Sequence, residues 1–341
     1  MLALQKNERG PGLPVLVRIP KPNPGFGEVL LKIHAAGICG TDLHIAAGER
    51  ACNPPVTLGH EFAGTIVEIG AGVTGWAAGD RVTSMPFAIV CGVCEFCLSG
   101  EFGLCASRKS YGSRVNGAFA EFMAVVASRI YRLPDQQDFV AGALTEPLAC
   151  VTKAVFDVGN LKYGEIAAVL GPGPIGLLTT QVVKAAGAKG ILIGLKADQD
   201  RLALGRKLGA QAAFYADEPG VVEQVIETIG VEGVDAVFEC SGAAPALDLA
   251  LKLARRKGRI IQVGLFGKNL SVEMDNLVIK DLTYKGSFTS SATSWKRALE
   301  LTGTHQVDTL SLVSDILPLE AVEQAFGLAA DRSRLKVVFQ P

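Results

Sequence analysis

Several residue types and patterns are scarce in this sequence of 341 residues. It has four histidines, two tryptophans and a net charge of −1. Because it contains no long run of Lys or Arg, it lacks the basic stripe that would bind nucleic acid or an anionic membrane. It also lacks the run of about 18 apolar residues that a membrane helix requires, and its N-terminus reaches charged residues too early for a signal peptide. These absences favour a cytoplasmic protein whose partner is a small molecule.

The length predicts about two domains and a large buried core. The first third is rich in Gly and Pro, and its short apolar runs, such as residues 28–38 and 63–70, predict strands. From about residue 150 the pattern changes, because strand-like runs at 166–170 and 190–195 flank a helix-like run at 177–188. Alternation of this kind predicts βαβ units and a parallel sheet.

Cysteine is distributed unevenly. Of eight cysteines, four lie within fifteen residues, at Cys91, Cys94, Cys97 and Cys105. In a reducing compartment, clustered thiols favour a metal over disulfides. Four thiolates complete a tetrahedral zinc shell and leave no position for a substrate, so the cluster predicts a structural zinc site. An iron–sulfur cluster is one alternative, and a set of buried thiols without metal is another.

A second group of candidate ligands is spread along the chain. Cys39 and His44 lie in the segment GICGTDLH, His60 and Glu61 in LGHEFAG, and Glu146 in LTEPLAC. Taken singly, each is weak evidence, since a lone Cys is usually a small buried hydrophobe and a lone His a satisfied polar group. Together, a thiolate, an imidazole and a carboxylate suit zinc, and three protein ligands leave a fourth position open.

A glycine loop follows a buried apolar run. The segment VLGPGPIG places Gly171, Gly173 and Gly176 after a predicted strand and before a predicted helix. Because glycine has no side chain, the backbone of such a loop can approach a pyrophosphate at the N-terminus of the helix. The pattern GxGxxG alone is weak evidence, but this context predicts a dinucleotide site that includes Pro174 and Ile175.

Four motifs occur in an order and spacing that resemble those of the zinc-dependent medium-chain alcohol and polyol dehydrogenases. They are CGTDLH, GHE, the four-cysteine loop and the glycine loop. The resemblance extends from about residue 12 to the C-terminus. It implies that Cys39, His60 and Glu61 surround a catalytic zinc and that Glu146 is a fourth ligand, direct or through water. Because simple alcohol dehydrogenases carry Cys where this chain has Glu146, the acid resembles the sorbitol, polyol and threonine dehydrogenase branch.

The resemblance further implies a proton relay through Thr41 and His44. Zinc makes a bound alcohol easier to deprotonate, and His titrates near neutral pH, so such a relay could carry the released proton away. A helix-cap or loop hydroxyl is the alternative role for Thr41.

The implied fold is α/β, with two zinc ions per chain. A dinucleotide-binding, doubly wound Rossmann domain is expected over residues 151–290. A strand-rich, GroES-like catalytic domain that holds both zinc ions is expected over residues 1–150 and 291–341.

The identity of the dinucleotide depends on the end of the second strand of the Rossmann domain. An Asp or Glu about twenty residues after the glycine loop normally binds the adenosine ribose, but this position holds Leu195. Lys196 could face a 2′-phosphate, whereas Asp198 could still serve NAD. We expect NAD or NADP, with NAD favoured by the resembled branch. The resemblance implies further cofactor contacts, whereas the residues alone indicate only strand ends and turns beside glycine. The implied contacts are Arg201, Cys240, Ser241, Val263, Gly264, Leu265, Ser287, Phe288 and Thr289.

The expected activity is hydride transfer between a secondary alcohol and NAD(P). The Glu146 segment favours a polyol or sugar alcohol, whereas CGTDLHI also resembles threonine dehydrogenases, so threonine or a general alcohol is the alternative. A zinc-stabilised protein that only binds a nucleotide would not need Cys39, Thr41, His44 and Glu61 together. A zinc ribbon that binds nucleic acid is disfavoured by the balanced charge. Zinc-free quinone reductases are disfavoured because they lack these zinc ligands. Members of the resembled family are commonly oligomers, so we expect a homo-oligomer, either a dimer or a tetramer.

Overall fold

The computed structural model describes residues 1–341, and the chain divides into two compact units. The first unit comprises residues 1–147, 290–303 and 309–341, and the second comprises residues 148–289 and 304–308. No helix combines the length and the apolar character needed to cross a bilayer.

The N-terminal part of the first unit is built mainly of short strands. Its helices are α1 (Gly40–Ala46), α2 (Glu95–Leu98), α3 (Phe139–Ala143) and α4 (Thr145–Thr152), the last of which continues into the second unit. Its strands are β1 (Leu2–Lys6), β2 (Val15–Arg18), β3 (Glu28–Gly37), β4 (Val56–Thr57), β5 (Glu61–Ile69), β6 (Arg81–Ser84), β7 (Phe87–Ile89), β8 (Lys109–Ser110), β9 (Phe122–Val126) and β10 (Ile130–Arg132).

The second unit alternates strands and helices, as the sequence pattern predicts. Its strands are β11 (Ile166–Leu170), β12 (Lys189–Gly194), β13 (Ala212–Tyr215), β14 (Val234–Glu239), β15 (Ala254–Gln262) and β16 (Thr283–Gly286). Its further helices are α5 (Pro174–Ala185), α6 (Gln199–Leu208), α7 (Val221–Ile229), α8 (Ala244–Leu253) and α9 (Asp275–Ile279). The C-terminal segment returns to the first unit with α10 (Ala292–Gly303), β17 (Val313–Leu317), α11 (Val322–Ala330) and β18 (Lys336–Phe339).

The six strands of the second unit form one parallel sheet in the order β13-β12-β11-β14-β15-β16. This is the 3-2-1-4-5-6 order of a Rossmann domain, in which the order reverses between β11 and β14. The strand β11 is almost wholly buried, with the sequence IAAVL, because helices cover both faces of such a sheet.

The first unit is organised around a seven-stranded sheet. Its main path is β10-β6-β5-β3-β18-β17, and β9 pairs with β3. The strands β3 and β5 are antiparallel, with Gly37 opposite Glu61, and β18 also pairs with β3. This pairing brings the C-terminal strand beside the segment that carries Cys39 and beside the start of β5.

Candidate active site and metal centres

The four-cysteine loop brings its sulfurs together. The Sγ atoms of Cys91, Cys94, Cys97 and Cys105 all lie within 4.8 Å of one another, and Cys91 Sγ is 3.8 Å from Cys97 Sγ. A tetrahedron with zinc–sulfur bonds of about 2.3 Å has edges of about 3.8 Å, so the spacing suits zinc. The short helix α2 positions Cys94 directly before its first residue and Cys97 within it.

The surroundings of this loop shift the pKa values of two of its thiols in opposite directions. Backbone N–H groups of Val93 and Cys94 lower the pKa of Cys91 to about 6, which favours the thiolate that a metal binds. Burial raises the pKa of Cys97. The loop therefore fits a metal chemically, because a cation would relieve the cost of the buried thiolate.

The second cluster consists of Cys39, His60 and Glu61. One ligand atom from each lies within 4.8 Å of the others. Cys39 directly precedes α1, and Glu61 begins β5 opposite Gly37 of β3. A Cβ atom at Gly37 would lie 2.6 Å from Glu61 Oε2, so the glycine leaves room for the carboxylate. The structure thus places the three residues that the resemblance groups as zinc ligands close together.

Asp42, a residue that was not predicted from the sequence, supports this cluster. Its buried carboxylate accepts hydrogen bonds from Cys39 N at 2.9 Å and Gly59 N at 3.4 Å. Its Oδ1 lies 3.8 Å from Nδ1 of His60. At this distance the carboxylate acts on the ring through its charge rather than through a hydrogen bond, and it favours a cation at His60. Its position three residues after Cys39, at the start of a helix, was the available sequence signal.

The electrostatics of His60 reflect these neighbours. Burial disfavours the charged ring, but the Cys39 thiol and the Asp42 carboxylate outweigh it and raise the pKa of His60 to about 10. Burial raises the pKa of Asp42, and His60 opposes that change. The cluster therefore attracts positive charge, as a cation site should.

A second unpredicted residue contacts the cluster from the C-terminal strand. The ammonium group of Lys336 pairs with Glu61 Oε2 and donates to Ile38 O at 3.0 Å. The Lys336 and Glu61 side chains are 6% and 1% exposed. Burial lowers the pKa of Lys336, but Glu61 and Cys39 outweigh it, so that the pKa is raised. No local motif could reveal a contact between residues 275 positions apart.

The other predicted catalytic residues are Glu146 on α4 and Thr41 and His44 on α1. Glu146, in the first turn of α4, is buried and outside the group of mutually close ligand atoms, but its charge helps to raise the pKa of His60. Thr41 and His44 stand three positions apart on α1 and are not hydrogen-bonded to each other. Thr41 Oγ1 accepts from Arg50 Nη1 at 3.2 Å, and His44 Nδ1 lies 2.6 Å from Glu49 Oε2.

The glycine loop has the geometry of a phosphate-binding turn. Gly171 follows β11 with a φ of +97°, a value that L side chains rarely adopt. Gly173 directly precedes α5, which begins with Pro174 and Ile175. A Cβ atom at Gly176 would lie 1.8 Å from Gly171 O, so only glycine fits. Free N–H groups at the start of a twelve-residue helix favour a pyrophosphate.

The end of β12 carries Leu195 where a ribose-binding acid is expected. Its backbone N–H donates to Asp198 Oδ2 at 3.0 Å, and Lys196 N donates to Asp217 Oδ1 at 2.9 Å. Two carboxylates therefore lie beside Lys196, while Arg201 is in the first turn of α6.

The remaining predicted cofactor residues follow three neighbouring strands of the parallel sheet. Glu239, the last residue of β14, was not predicted, and its buried carboxylate accepts hydrogen bonds from the N–H groups of Ser241 and Gly242 and from Gln262. It thus ties the loop after β14 to the end of β15. The predicted residues themselves are Cys240 and Ser241 after β14, Val263, Gly264 and Leu265 after β15, and Ser287, Phe288 and Thr289 after β16.

The chain combines a Rossmann unit that carries a glycine loop with a strand-rich unit that carries two clusters of zinc-type ligands. These features define a zinc-dependent oxidoreductase that uses a nicotinamide dinucleotide. Residues 25–135 match the family described as alcohol dehydrogenase GroES-like domain, and residues 174–304 match zinc-binding dehydrogenase. The chain belongs to this family of zinc-dependent medium-chain dehydrogenases.

Three curated relatives match over the whole chain. They are a sorbitol dehydrogenase of Halalkalibacterium halodurans (37% identical, 99% of its length), a D-arabitol-phosphate dehydrogenase of Enterococcus avium (34%, 97%) and an L-threonine 3-dehydrogenase of Bacillus velezensis (36%, 99%). A similar solved structure is a zinc-binding dehydrogenase of Sinorhizobium meliloti bound to NADP. It is 33% identical with a TM-score of 0.92, and the match covers 100% of this chain and 99% of that one.

Proposed function

We propose that the protein oxidises a secondary hydroxyl of a polyol or sugar alcohol by hydride transfer to NAD(P). The observation that carries the proposal is the convergence of Cys39, His60 and Glu61, three zinc-type ligands from two segments of the first unit. The names of two relatives, a sorbitol dehydrogenase and a D-arabitol-phosphate dehydrogenase, support the substrate class.

The proposed metal content is two zinc ions per chain. The four-cysteine loop would hold a structural ion, because four thiolates fill its coordination shell. Cys39, His60 and Glu61 would hold the catalytic ion, with Glu146 as a fourth ligand, direct or through water. When bound there, zinc supplies a Lewis acid that favours loss of the alcohol proton.

The residues around the catalytic cluster have supporting roles in this proposal. The negative charge of Asp42 stabilises a cation at His60, and the hydrogen bond that its carboxylate accepts from Cys39 N holds the start of α1. Lys336 balances the charge of Glu61 and fixes its carboxylate. Thr41 and His44 would carry the released proton toward solvent, and Glu49 would orient the exposed His44 ring through the contact at Nδ1.

For the dinucleotide, we propose binding by residues 151–290, with the pyrophosphate at Gly171, Gly173 and Gly176. The catalytic domain would comprise residues 1–150 and 291–341. The cofactor is NAD or NADP, and the carboxylates of Asp198 and Asp217 favour NAD because they would repel a 2′-phosphate. Dissociation constants of both cofactors, measured by fluorescence titration, test this choice, and a strong preference for NADP would overturn it.

Oxidation of threonine at its secondary hydroxyl is the second candidate. It is supported by the segment CGTDLHI and by the L-threonine 3-dehydrogenase relative. A general alcohol dehydrogenase is less favoured, since Glu146 stands where the simple enzymes of this family carry Cys.

A substrate panel separates these candidates. The zinc-loaded protein is assayed with sorbitol, other polyols, L-threonine and simple alcohols, each with NAD and with NADP, by the absorbance of the reduced cofactor. The proposal expects the highest kcat/KM for a polyol. A higher value for threonine would favour the second candidate, and activity on no alcohol would contradict both.

A matched pair of cysteine variants tests the catalytic ligands. We expect Cys39→Ser to lower kcat by about a hundredfold or more and to reduce the zinc content from two ions to one. The control is Cys52→Ala, which changes a buried cysteine outside both clusters and should retain both ions. Full activity and two ions in Cys39→Ser would refute the assignment.

We also propose that the protein is a cytoplasmic homo-oligomer, either a dimer or a tetramer. The family resemblance supports the oligomer, and the need for reduced thiols in both clusters supports the cytoplasmic location. Light scattering of the purified protein measures the oligomeric state, and a monomeric mass would contradict this part.

A further inference from the structure

A cationic cavity lies in the first unit, between the end of the α1 segment and the four-cysteine loop. Its volume is about 370 Å³, within the range of roughly 300–1,000 Å³ that small-molecule sites occupy. It is lined by Arg50, Arg108, Arg114, Ser110 and Ser113, together with Ala51, Leu104, Cys105 and Ala106. Three guanidinium groups and two hydroxyls face one space, and no Asp or Glu is among the lining residues.

Two of the arginines satisfy only part of their donor capacity within the protein. Arg50 donates to the hydroxyl of Thr41 at 3.2 Å, and Arg114 donates to Asn53 Oδ1 at 2.8 Å. Both partners are neutral, and neither arginine forms an ion pair. An arginine has five N–H donors, so each retains several for a ligand. The protein thus holds two full positive charges at this cavity without a carboxylate to balance them.

The third arginine indicates how closely the cations approach. Burial lowers the pKa of Arg108, and repulsion from Arg50 lowers it further. Arg108 also donates to Gly103 O within the four-cysteine loop, so it has a structural role there. Neutralising the thiolates could explain Arg108, but it does not explain Arg50 and Arg114, whose hydrogen bonds go to residues outside that loop. Like charges held together in this way favour an anion between them.

The position of the cavity connects it to the proposed reaction. Thr41, the partner of Arg50, is in the first turn of α1, the helix that Cys39 directly precedes. The side chain of Arg50 therefore joins the cavity wall to Thr41, which stands two residues after the proposed metal ligand Cys39. An anionic group on the far end of a substrate could reach the cavity while its hydroxyl lies at Cys39.

We propose that this cavity is a phosphate subsite and that the substrate is a phosphorylated polyol, whose phosphate binds Arg50 and Arg114. Guanidinium groups match the phosphate oxygens in bidentate geometry, and such charged hydrogen bonds are about twice as strong as neutral ones. The inference rests on the proposed polyol oxidation and specifies its substrate class.

Steady-state kinetics with D-arabitol and with D-arabitol phosphate test the proposal in the zinc-loaded protein. The wild type should have a KM for the phosphorylated polyol at least about tenfold lower than for the free polyol. Arg114→Gln should raise the KM for the phosphorylated polyol about tenfold and leave the KM for the free polyol within about twofold. Arg50→Gln should raise the same KM and also change kcat, because it contacts Thr41.

Two further variants distinguish ligand binding from a structural role. Asn53→Ala removes the acceptor of Arg114 but keeps the cation, so the KM for the phosphorylated polyol should stay within about twofold of the wild type. Arg18→Gln removes an exposed arginine of β2 that lines no part of the cavity, and it should change neither KM. Equal increases of KM for both polyols in Arg114→Gln would overturn the proposal, because they would indicate general damage.

Inorganic phosphate separates the possible sources of the anion. It should inhibit competitively against the phosphorylated polyol, and Arg114→Gln should weaken that inhibition about tenfold. If Arg114→Gln weakens phosphate binding but leaves the KM for the phosphorylated polyol unchanged, the cavity holds free phosphate and the substrate assignment is wrong. If calorimetry shows phosphate binding that depends on Arg114 but no polyol of either kind is oxidised, the proposed function fails while the anion site stands.

Discussion

The substitution Lys336→Met removes the buried cation that faces Glu61 while keeping a long apolar side chain. The two side chains are 6% and 1% exposed, so water screens the pair little. The change also removes the hydrogen bond to Ile38 O. Stranding one member of a buried ion pair typically costs about 3–5 kcal/mol, and we expect a loss of this size in the free energy of unfolding of chelator-treated protein.

Urea denaturation followed by tryptophan fluorescence measures this loss, because both tryptophans, Trp76 and Trp295, belong to the first unit. The matched control is Lys6→Met. Lys6 is also buried, but its ammonium donates to the neutral oxygen of Gly12, so we expect a loss of only about 1–2 kcal/mol. If Lys336→Met destabilises the first unit no more than Lys6→Met does, the reasoning about the stranded Glu61 carboxylate is wrong.

Three further predictions concern the metals and the cofactor. Cys97→Ser should lower the zinc content from two ions per chain to one by atomic absorption, and two ions would contradict the structural site. Gly176→Ala places a Cβ 1.8 Å from a backbone oxygen of the loop, so the Kd for NAD(P) should rise at least about tenfold with zinc content unchanged; an unchanged Kd would contradict the loop's role. His60 has its pKa raised to about 10 in the metal-free protein, so its protonation stabilises the fold fully below about pH 6.5, and this contribution is lost as the pH rises through 10. Zinc binds His60 only when that proton leaves, so the affinity of the site for zinc should rise about tenfold per pH unit between about pH 6.5 and 10. Calorimetry in two buffers should detect the released proton.

The fold was predictable where periodicity was strong. The runs at 166–170 and 190–195 are β11 and β12, and the run at 177–188 corresponds to α5. Periodicity does not set every boundary, since α8 ends at Leu253 and β15 begins directly at Ala254. Arg255 belongs to the strand and pairs with Asp235 at 2.7 Å, a tertiary contact that overrides the local helical pattern.

The site was predictable as far as its residues form local motifs. Cys39, His60 and Glu61 were recognised because each lies in a short distinctive segment. Lys336 was not, because it lies in a strand at the opposite end of the chain and acquires its role only through the pairing of β18 with β3. The hydrogen bond from Arg50 to Thr41 was also not predictable from the sequence, because it depends on the turn after α1 rather than on a motif.

The most direct test of the account is anomalous X-ray diffraction at the zinc edge from crystals soaked with NAD(P). We expect two anomalous peaks per chain, one among the four sulfurs of the cysteine loop and one bonded to Cys39, His60 and Glu61, with the nicotinamide ring beside the second. The absence of a peak at Cys39 and His60, or a nicotinamide ring directed away from it, would contradict the central claim.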